Sequence, residues 1–326
     1  GAFSLMAFGS LLAAFTLALC AYSASAAAFI AAIVLLEVAS AMVQYQAAFA
    51  ALVQFRPTVA ARSITYLTLI GGFASTLFWP ITSSLHGVMS WRDIFLTYAF
   101  LNLFLCAPIH FWLMRTKVDA RDDDGRAEPR KRVEGALVPS RRKLGFYIVS
   151  GAFALQGFAL SSMLVHMVPM LTGIGLGGAA VMVSMIFGPS QVLSRLINMV
   201  FGSNLNAAVL ALLSACLIVG GIAVLLLSGD WIVGAIVFAL LLGFGSGINS
   251  IAQGALPLHL FGSDGYGSLT GKMAAIRLAA GAAAPFAFAA LSQSLGLTTG
   301  LGITVGIGTM GLLGFIAIVR LENRTS

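Results

Sequence analysis

The chain has 326 residues, of which 59% are hydrophobic and only 9% charged, with a mean hydropathy of +0.98. A water-soluble domain carries about a quarter charged residues, so this composition excludes a soluble enzyme or binding module. The formal charge of +7 comes from 18 Lys/Arg against 11 Asp/Glu. These basic residues lie at the ends of apolar runs, the pattern of membrane topology and not of a nucleic-acid-binding patch.

A membrane-spanning helix needs about 20 largely apolar residues, and about ten such runs are expected here. In chain order they are Ala2–Tyr22, Ala26–Ala48, Ile64–Leu85, Phe95–Met114, Leu144–Met167, Ala179–Phe201, Ala207–Leu227, Trp231–Ala252, Leu269–Leu291 and Leu297–Val319. The runs do not alternate polar and apolar residues as barrel strands do. The expected fold class is therefore an all-α integral membrane protein. The chain opens GAFSLMAFGS, without Met and already inside an apolar run, so an N-terminally truncated chain with earlier helices missing is expected. Cys20, Cys106 and Cys216 fall far apart inside apolar runs. They read as buried small hydrophobes, with neither metal spacing nor a disulfide framework.

Between the fourth and fifth runs lies Arg115–Lys143, the one long polar passage, with ten of the 18 Lys/Arg and six of the 11 Asp/Glu. It contains Pro129, Pro139 and few bulky apolar residues, so it cannot bury enough surface to offset its chain entropy. A solvated linker over 115–143 is expected. It separates an N-terminal bundle of four spans (1–114) from a C-terminal six-helix bundle (144–326). Placing the linker in the cytoplasm puts Arg56, Arg62, Lys272, Arg320 and Arg324 on the same side. Only Arg92, with Asp93 and Asp230, is left on the other. Cytoplasmic loops carry the Lys/Arg excess, so both termini and the linker are expected in the cytoplasm of a multi-pass protein of the plasma (inner) membrane.

A polar side chain at membrane depth costs several kcal/mol and persists when it faces a cavity or a partner. In the second run Glu37, Ser40 and Gln44 fall at i, i+3 and i+7, with Tyr45 adjacent. Glu37 is the one acidic residue well inside a span, which makes it the candidate for proton coupling or substrate contact; a buried, bonded carboxyl is the plainer alternative. The eighth run places Ser246, Asn249, Ser250 and Gln253 at i, i+3, i+4 and i+7. The sixth carries Ser184, Gly188, Gln191, Arg195 and Asn198 on one stripe. Arg195 is an anion anchor or an interhelical clamp, the two readings standing level. In the fifth run Gln156 and His166 loosely share a face with Met163, and His166 reads more readily as a hydrogen-bonded side chain than as a titrating one. Arg92, Arg277, His110 and His259 read as topology or turn determinants.

Certain stretches carry a resemblance to a known family. Gly71-Gly72-Phe73-Ala74-Ser75-Thr76-Leu77-Phe78-Trp79-Pro80, Ser90-Trp91-Arg92-Asp93-Ile94-Phe95, His166-Met167-Val168-Pro169-Met170-Leu171 and Gly188-Pro189-Ser190-Gln191-Val192-Leu193-Ser194-Arg195-Leu196 are the main ones. Leu260-Phe261-Gly262, Tyr266-Gly267 and Gly271 extend the pattern. Together they resemble the major facilitator superfamily, in a bacterial branch similar to monocarboxylate-type carriers. The resemblance implies a twelve-helix fold of two bundles with the first two helices absent here. It also implies a central cavity lined by the second, fifth and eighth runs, where the polar stripes fall. That branch often has an acidic residue where this chain has Gln46, and an Arg where it has Gln253.

Two letter-matches to a dinucleotide fingerprint, Gly306-x-Gly308-x-x-Gly311 and Gly173-x-Gly175-x-x-Gly178, lack the strand–turn–helix context that the chemistry needs. Their glycines suit close helix packing or a turn. No Walker sequence points to ATP, and no nucleophile–base constellation points to an enzyme. The expectation is a secondary active transporter of a small solute, an organic anion or drug-like compound, working by alternating access. The partners expected are that solute, the lipid bilayer and protons, with no cofactor, nucleotide or nucleic acid. The rival is a membrane-embedded sensor or interaction protein that keeps a carrier fold without transport.

Overall fold

The structure, a computed structural model, describes residues 1–116, 132–202 and 205–323, without the side chains of residues 75, 76, 79, 80 and 116. The centre of the charged passage, with Pro129, therefore lies outside the described residues, as do the side chains of Ser75, Thr76, Trp79 and Pro80. Nearly everything described is helix, and nine helical stretches among the described residues are long and apolar enough to cross a membrane. The expected span Ile64–Leu85 lies within a further helix of 27 residues, Ala60–His86. The chain divides into two compact units.

The first unit comprises Gly1–Ala60, Ala74–Val133 and Gly265–Gly267. It contains α1 (Ala2–Tyr22), α2 (Ala26–Ala41), α3 (Tyr45–Phe55), the second half of α4 (Ala60–His86), α5 (Trp91–Leu101) and α6 (Ala107–Thr116). Ser25 caps α2 by accepting the Ala28 N–H at 3.2 Å. Ser90 and Asp93 form a reciprocal capping box at the start of α5, which satisfies donors that a helix start leaves open. Arg92 lies over the Trp91 ring, 4.3 Å from its centroid, and donates to the Ser23 carbonyl at 3.4 Å. It ties the α1–α2 turn to α5. Ser10 Oγ and His110 Nδ1, 2.7 Å apart, join α1 to α6.

The expected single span Ala26–Ala48 is two helices. The chain turns at Met42–Gln44, and Gln44 has extended backbone angles as the N-cap of α3. The turn is seated on Gly9 of α1, where a Cβ would lie 2.5 Å from Met42 Cβ and 3.0 Å from Val43 Cγ1. Non-helical backbone is tolerated at membrane depth where protein buries it, and Gly9 supplies the room.

The second unit comprises Ala61–Phe73, Glu134–Asp264 and Ser268–Ser326. Its helices are the first half of α4, then α7 (Pro139–Leu171), α8 (Ala179–Met185), α9 (Phe187–Phe201), α10 (Ala207–Ser228), α11 (Ile232–Phe261), α12 (Tyr266–Leu295) and α13 (Leu297–Asn323). The expected span Ala179–Phe201 is interrupted at Ile186, two residues before Gly188-Pro189. Two apolar clusters fill the unit. One lies around Phe153, Leu256, Phe261 and Phe315, the other around Met163, Ile218, Phe238 and Leu242.

The end of the charged passage is ordered, where a solvated linker to Lys143 is expected from sequence. Pro139 starts α7 at a first-turn position, where its missing N–H costs nothing. Just before it, Ala136 N–H donates to the His259 carbonyl (2.9 Å) and Leu137 N–H to the Leu260 carbonyl (3.1 Å). The last carbonyls of α11, which have no partner inside the helix, are thereby satisfied. Gly135 permits the approach, since a Cβ there would run into the Leu260–Gly262 backbone. Leu137 is fully buried in the first apolar cluster. Nearby, Glu322 Oε1 lies 2.7 Å from His259 Nε2 and accepts from Asn206 Nδ2 at 3.1 Å, joining α11, α13 and the N-cap of α10.

Of the three cysteines only Cys20 is buried; Cys106 is half-buried and Cys216 exposed. The composition of Cys216's helix made it look interior, although helices that meet lipid are apolar on every face.

Candidate functional site

The second unit brings α9 and α11 together through glycines. Gly243 and Gly247, four apart and so on one face of α11, both abut α9. A Cβ on Gly243 would lie 2.6 Å from the Phe187 carbonyl, and one on Gly247 would collide with Ser194 Oγ and the Gln191 carbonyl. Gly245 on another face does the same toward α10, 2.6 Å from Ile218 Cγ1. Small residues at such spacing let membrane helices approach until backbones touch. The sequence contained this Gly-x-x-x-Gly signal, although attention to polar stripes passes over it.

That close approach joins the polar stripes of the two helices. Gln191 Nε2 donates to Ser246 Oγ at 2.8 Å, and Arg195 Nε to Ser250 Oγ at 3.2 Å. Ser250 Oγ in turn donates to the Gly247 carbonyl at 2.7 Å. Arg195 is only 3% exposed, and its Nη1 donates to the main-chain carbonyl of Thr68 in α4 at 3.0 Å. One turn on from Thr68, Gly72 makes space for the guanidinium, because a Cβ there would collide with Nη1. Asn249, 2% exposed, sits in the same stretch of α11, and its Oδ1 has no hydrogen-bond partner among the described residues. Gln253 follows on the same helix, half-buried. Gln191–Ser246 and Arg195–Ser250 thus form two bonded pairs between α9 and α11, and Asn249 and Gln253 belong to the same α11 stripe.

Other sequence candidates lie elsewhere. Gln156, fully buried on α7, donates through Nε2 to the Gly308 carbonyl of α13 at 2.8 Å. His166 Nε2 bonds to the Pro285 carbonyl of α12 at 2.9 Å and its ring lies tilted against Phe288, with centroids 5.3 Å apart. A carbonyl only accepts, so the proton is on Nε2. Both side chains act as ties between helices. Pro285 explains a third tie: it has no N–H, so the Gly281 carbonyl loses its helical partner. Ser161 Oγ donates to that carbonyl at 2.8 Å. The α13 glycines also pack, with Gly311 3.1 Å from the Ala152 carbonyl through a notional Cβ, while Gly306 meets open space.

In the first unit, Glu37 is exposed on α2 and Ser40 half-buried. The turn at Met42–Gln44 takes Gln44 out of their helical register, so the i, i+3, i+7 stripe is not on one continuous helix. Gln44 is exposed, and Tyr45, the first residue of α3, stacks on Phe49 with centroids 5.6 Å apart. No group of three or more His, Cys, Asp or Glu among the described residues could hold a metal ion.

The sequence model of the Major Facilitator Superfamily matches residues 1–285, most of the chain. The chain belongs to the Major Facilitator Superfamily. Solved structures of the superfamily share its fold at low identity. The human organic anion transporter TETRAN is 15% identical, with a TM-score of 0.67 over 97% of this chain and 77% of that one. FucP, in the outward conformation, is 14% identical, with a TM-score of 0.66 over 100% of this chain and 83% of that one. The proton:xylose symporter XylE, bound to 6-bromo-6-deoxy-D-glucose, is 10% identical, with a TM-score of 0.69 over 98% and 79%. No curated protein matches the sequence. A multi-pass membrane transporter of this superfamily is a carrier and not an enzyme, and it binds its solute within the membrane.

Proposed function

We propose that the chain carries a small organic anion by secondary, alternating-access transport, with Arg195 as the anion anchor. The observation behind this is a guanidinium almost wholly removed from solvent, held on Ser250 and the Thr68 carbonyl among Gln191 and Asn249. An anionic oxygen bonds a guanidinium roughly twice as strongly as a neutral acceptor does. A carboxylate that reaches the guanidinium therefore competes with the Thr68 carbonyl for the same N–H groups. A transporter of the same fold is named for organic anions, in keeping with the charge offered here.

Proton coupling is assigned to Glu37, a carboxyl within a membrane span and exposed on its helix. Ser40, Gln44 and Tyr45 are taken as contacts of the same first-unit surface. The plasma membrane, with the charged passage on its cytoplasmic face, is the location that the Lys/Arg distribution supports.

The deciding experiment is uptake of radiolabelled benzoate and lactate, beside glucose, into proteoliposomes holding the chain. Arg195→Gln is expected to lower anion uptake at least tenfold and Arg195→Lys to retain part of it, since lysine keeps the charge but loses the fork. Wild-type uptake by a folded Arg195→Gln protein would remove the anchor. Glu37→Gln is expected to abolish the dependence of uptake on an imposed proton gradient.

A further inference from the structure

The α1–α2 turn and the start of α5 border a cavity of about 410 Å³ in the first unit, lined by residues 23–26, Phe29, Trp91 and Arg92. α1 ends at Tyr22, α2 begins at Ala26 and α5 begins at Trp91, and each belongs to a stretch of membrane-span length and composition. The cavity therefore lies where three spans leave hydrocarbon for water. Its aromatic wall is braced, because Phe29, Trp91 and Phe95 meet edge to face with centroids 5.6 to 6.0 Å apart. Tryptophan is a side chain that settles at headgroup level.

Over the Trp91 ring sits the Arg92 guanidinium, held also by the Ser23 carbonyl. Those two contacts fix the place of the charge but use only one of its N–H groups. Arg92 is exposed and lines the cavity, so its other donors are open to a molecule lying there. None of the lining residues is acidic. The acidic neighbour in sequence, Asp93, directs its carboxylate to the Ser90 N–H at 3.2 Å and the Ser90 Oγ at 2.6 Å.

We propose that this cavity binds one anionic phospholipid, with its phosphate on Arg92 and the top of an acyl chain against Phe29. Phosphate oxygens accept from a guanidinium in charge-assisted hydrogen bonds, and the bilayer in which these spans end supplies the lipid. Net charge sets the preference within that class. A choline or ethanolamine headgroup brings an ammonium beside Arg92 and meets no carboxylate on the cavity wall. A glycerol headgroup leaves the phosphate's charge uncancelled. The site belongs to the first unit and Arg195 to the second, so it stands whatever the chain carries.

The test uses the full chain with Trp79→Phe, Trp112→Phe and Trp231→Phe, which leaves Trp91 as its one tryptophan, reporting from the cavity wall. Its fluorescence is read in phosphatidylcholine bilayers that contain an equal share of either brominated phosphatidylglycerol or brominated phosphatidylcholine, since bromine quenches a ring that it touches. The relative binding constant is expected to favour phosphatidylglycerol by about fivefold. Arg92→Gln should bring the ratio to one. Ala24→Glu, which sets a carboxylate on the cavity wall, should do the same with Arg92 intact. Inorganic phosphate, compared with chloride at equal ionic strength, should leave the preference unchanged; displacement by phosphate alone would assign the site to the free ion and overturn the lipid. A ratio of one in the parent chain, or a preference that survives Arg92→Gln or Ala24→Glu, would each overturn the site. If Arg92→Gln fails to fold, because Arg92 also ties the turn, the parent chain and Ala24→Glu still decide it.

Discussion

Arg195 and Gly72 work as a pair although they are far apart in sequence. The guanidinium reaches the Thr68 carbonyl only because Gly72 has no side chain. Gly72→Ala therefore forces Arg195 off its acceptor inside a buried cluster, at a cost of about 1–3 kcal/mol. The melting temperature is expected to fall with Gly72→Ala, and much less so in an Arg195→Gln background. A double-mutant cycle reads this directly, with an expected coupling of about 1–3 kcal/mol; strictly additive effects would dissociate the two residues. At this scale the sequence shows polar residue types and their helical register but not their partners. The α11 stripe from Ser246 to Gln253 was legible because one uninterrupted helix carries it. Gln156 looks the same in sequence, yet it bonds to Gly308 on another helix; His166 reads from sequence as a hydrogen-bonded side chain, but its partner, the Pro285 carbonyl, is an assignment that only tertiary packing makes. The Glu37–Gln44 stripe was misread as continuous, since nothing in that apolar run signals that Gly9, on a different helix, makes room for a turn.

Among the helices, α11 organises the second unit, with Gly243 and Gly247 toward α9 and Gly245 toward α10. Contact between membrane helices gains little from the hydrophobic effect, because lipid is as apolar as leucine, so it relies on close packing. Glycines that touch and glycines that do not should then respond oppositely to the same substitution. Gly247→Ala drives a Cβ into the Gln191 carbonyl, a backbone atom with little freedom to shift, and is expected to destabilise by about 1–3 kcal/mol as overpacking does. Gly306→Ala in α13 meets open space and is expected to stabilise by about 0.4–1 kcal/mol through loss of unfolded-state freedom. Thermal melts of the two variants in detergent check both signs, and a shared sign would mean that these notches do not govern packing. Most helix positions were legible from hydropathy and length. Their ends were less so, because α7, α11 and α13 continue beyond the apolar runs into residues that hold one another, Arg141 on the Leu321 carbonyl and His259 on Glu322.

For the whole molecule, hydropathy alone separates a membrane carrier from every soluble class, and the family match agrees. Orientation rests on a different property, the distribution of Lys and Arg. Gly125→Cys, placed in the charged passage of a chain whose three cysteines are replaced by serine, is expected to react with an impermeant maleimide only from the cytoplasmic side. Asp230→Cys is expected to react only from the opposite side. Labelling of both from one side would reject the arrangement. The least legible part of the chain was the end of the charged passage, because composition describes how a segment behaves by itself. Glu134–Val138 is ordered by what it touches, the exposed carbonyls at the end of α11.

That docking has a consequence for how the protein is made. Leu137 leaves the ribosome more than a hundred residues before the Leu260 carbonyl that it pairs with. At ordinary elongation rates the delay is roughly ten seconds, during which α7 to α10 are already available for insertion. The strand-like contact therefore cannot close until α11 has been made, and the cluster that buries Leu137 waits further, for Phe315 and Ile318 of α13.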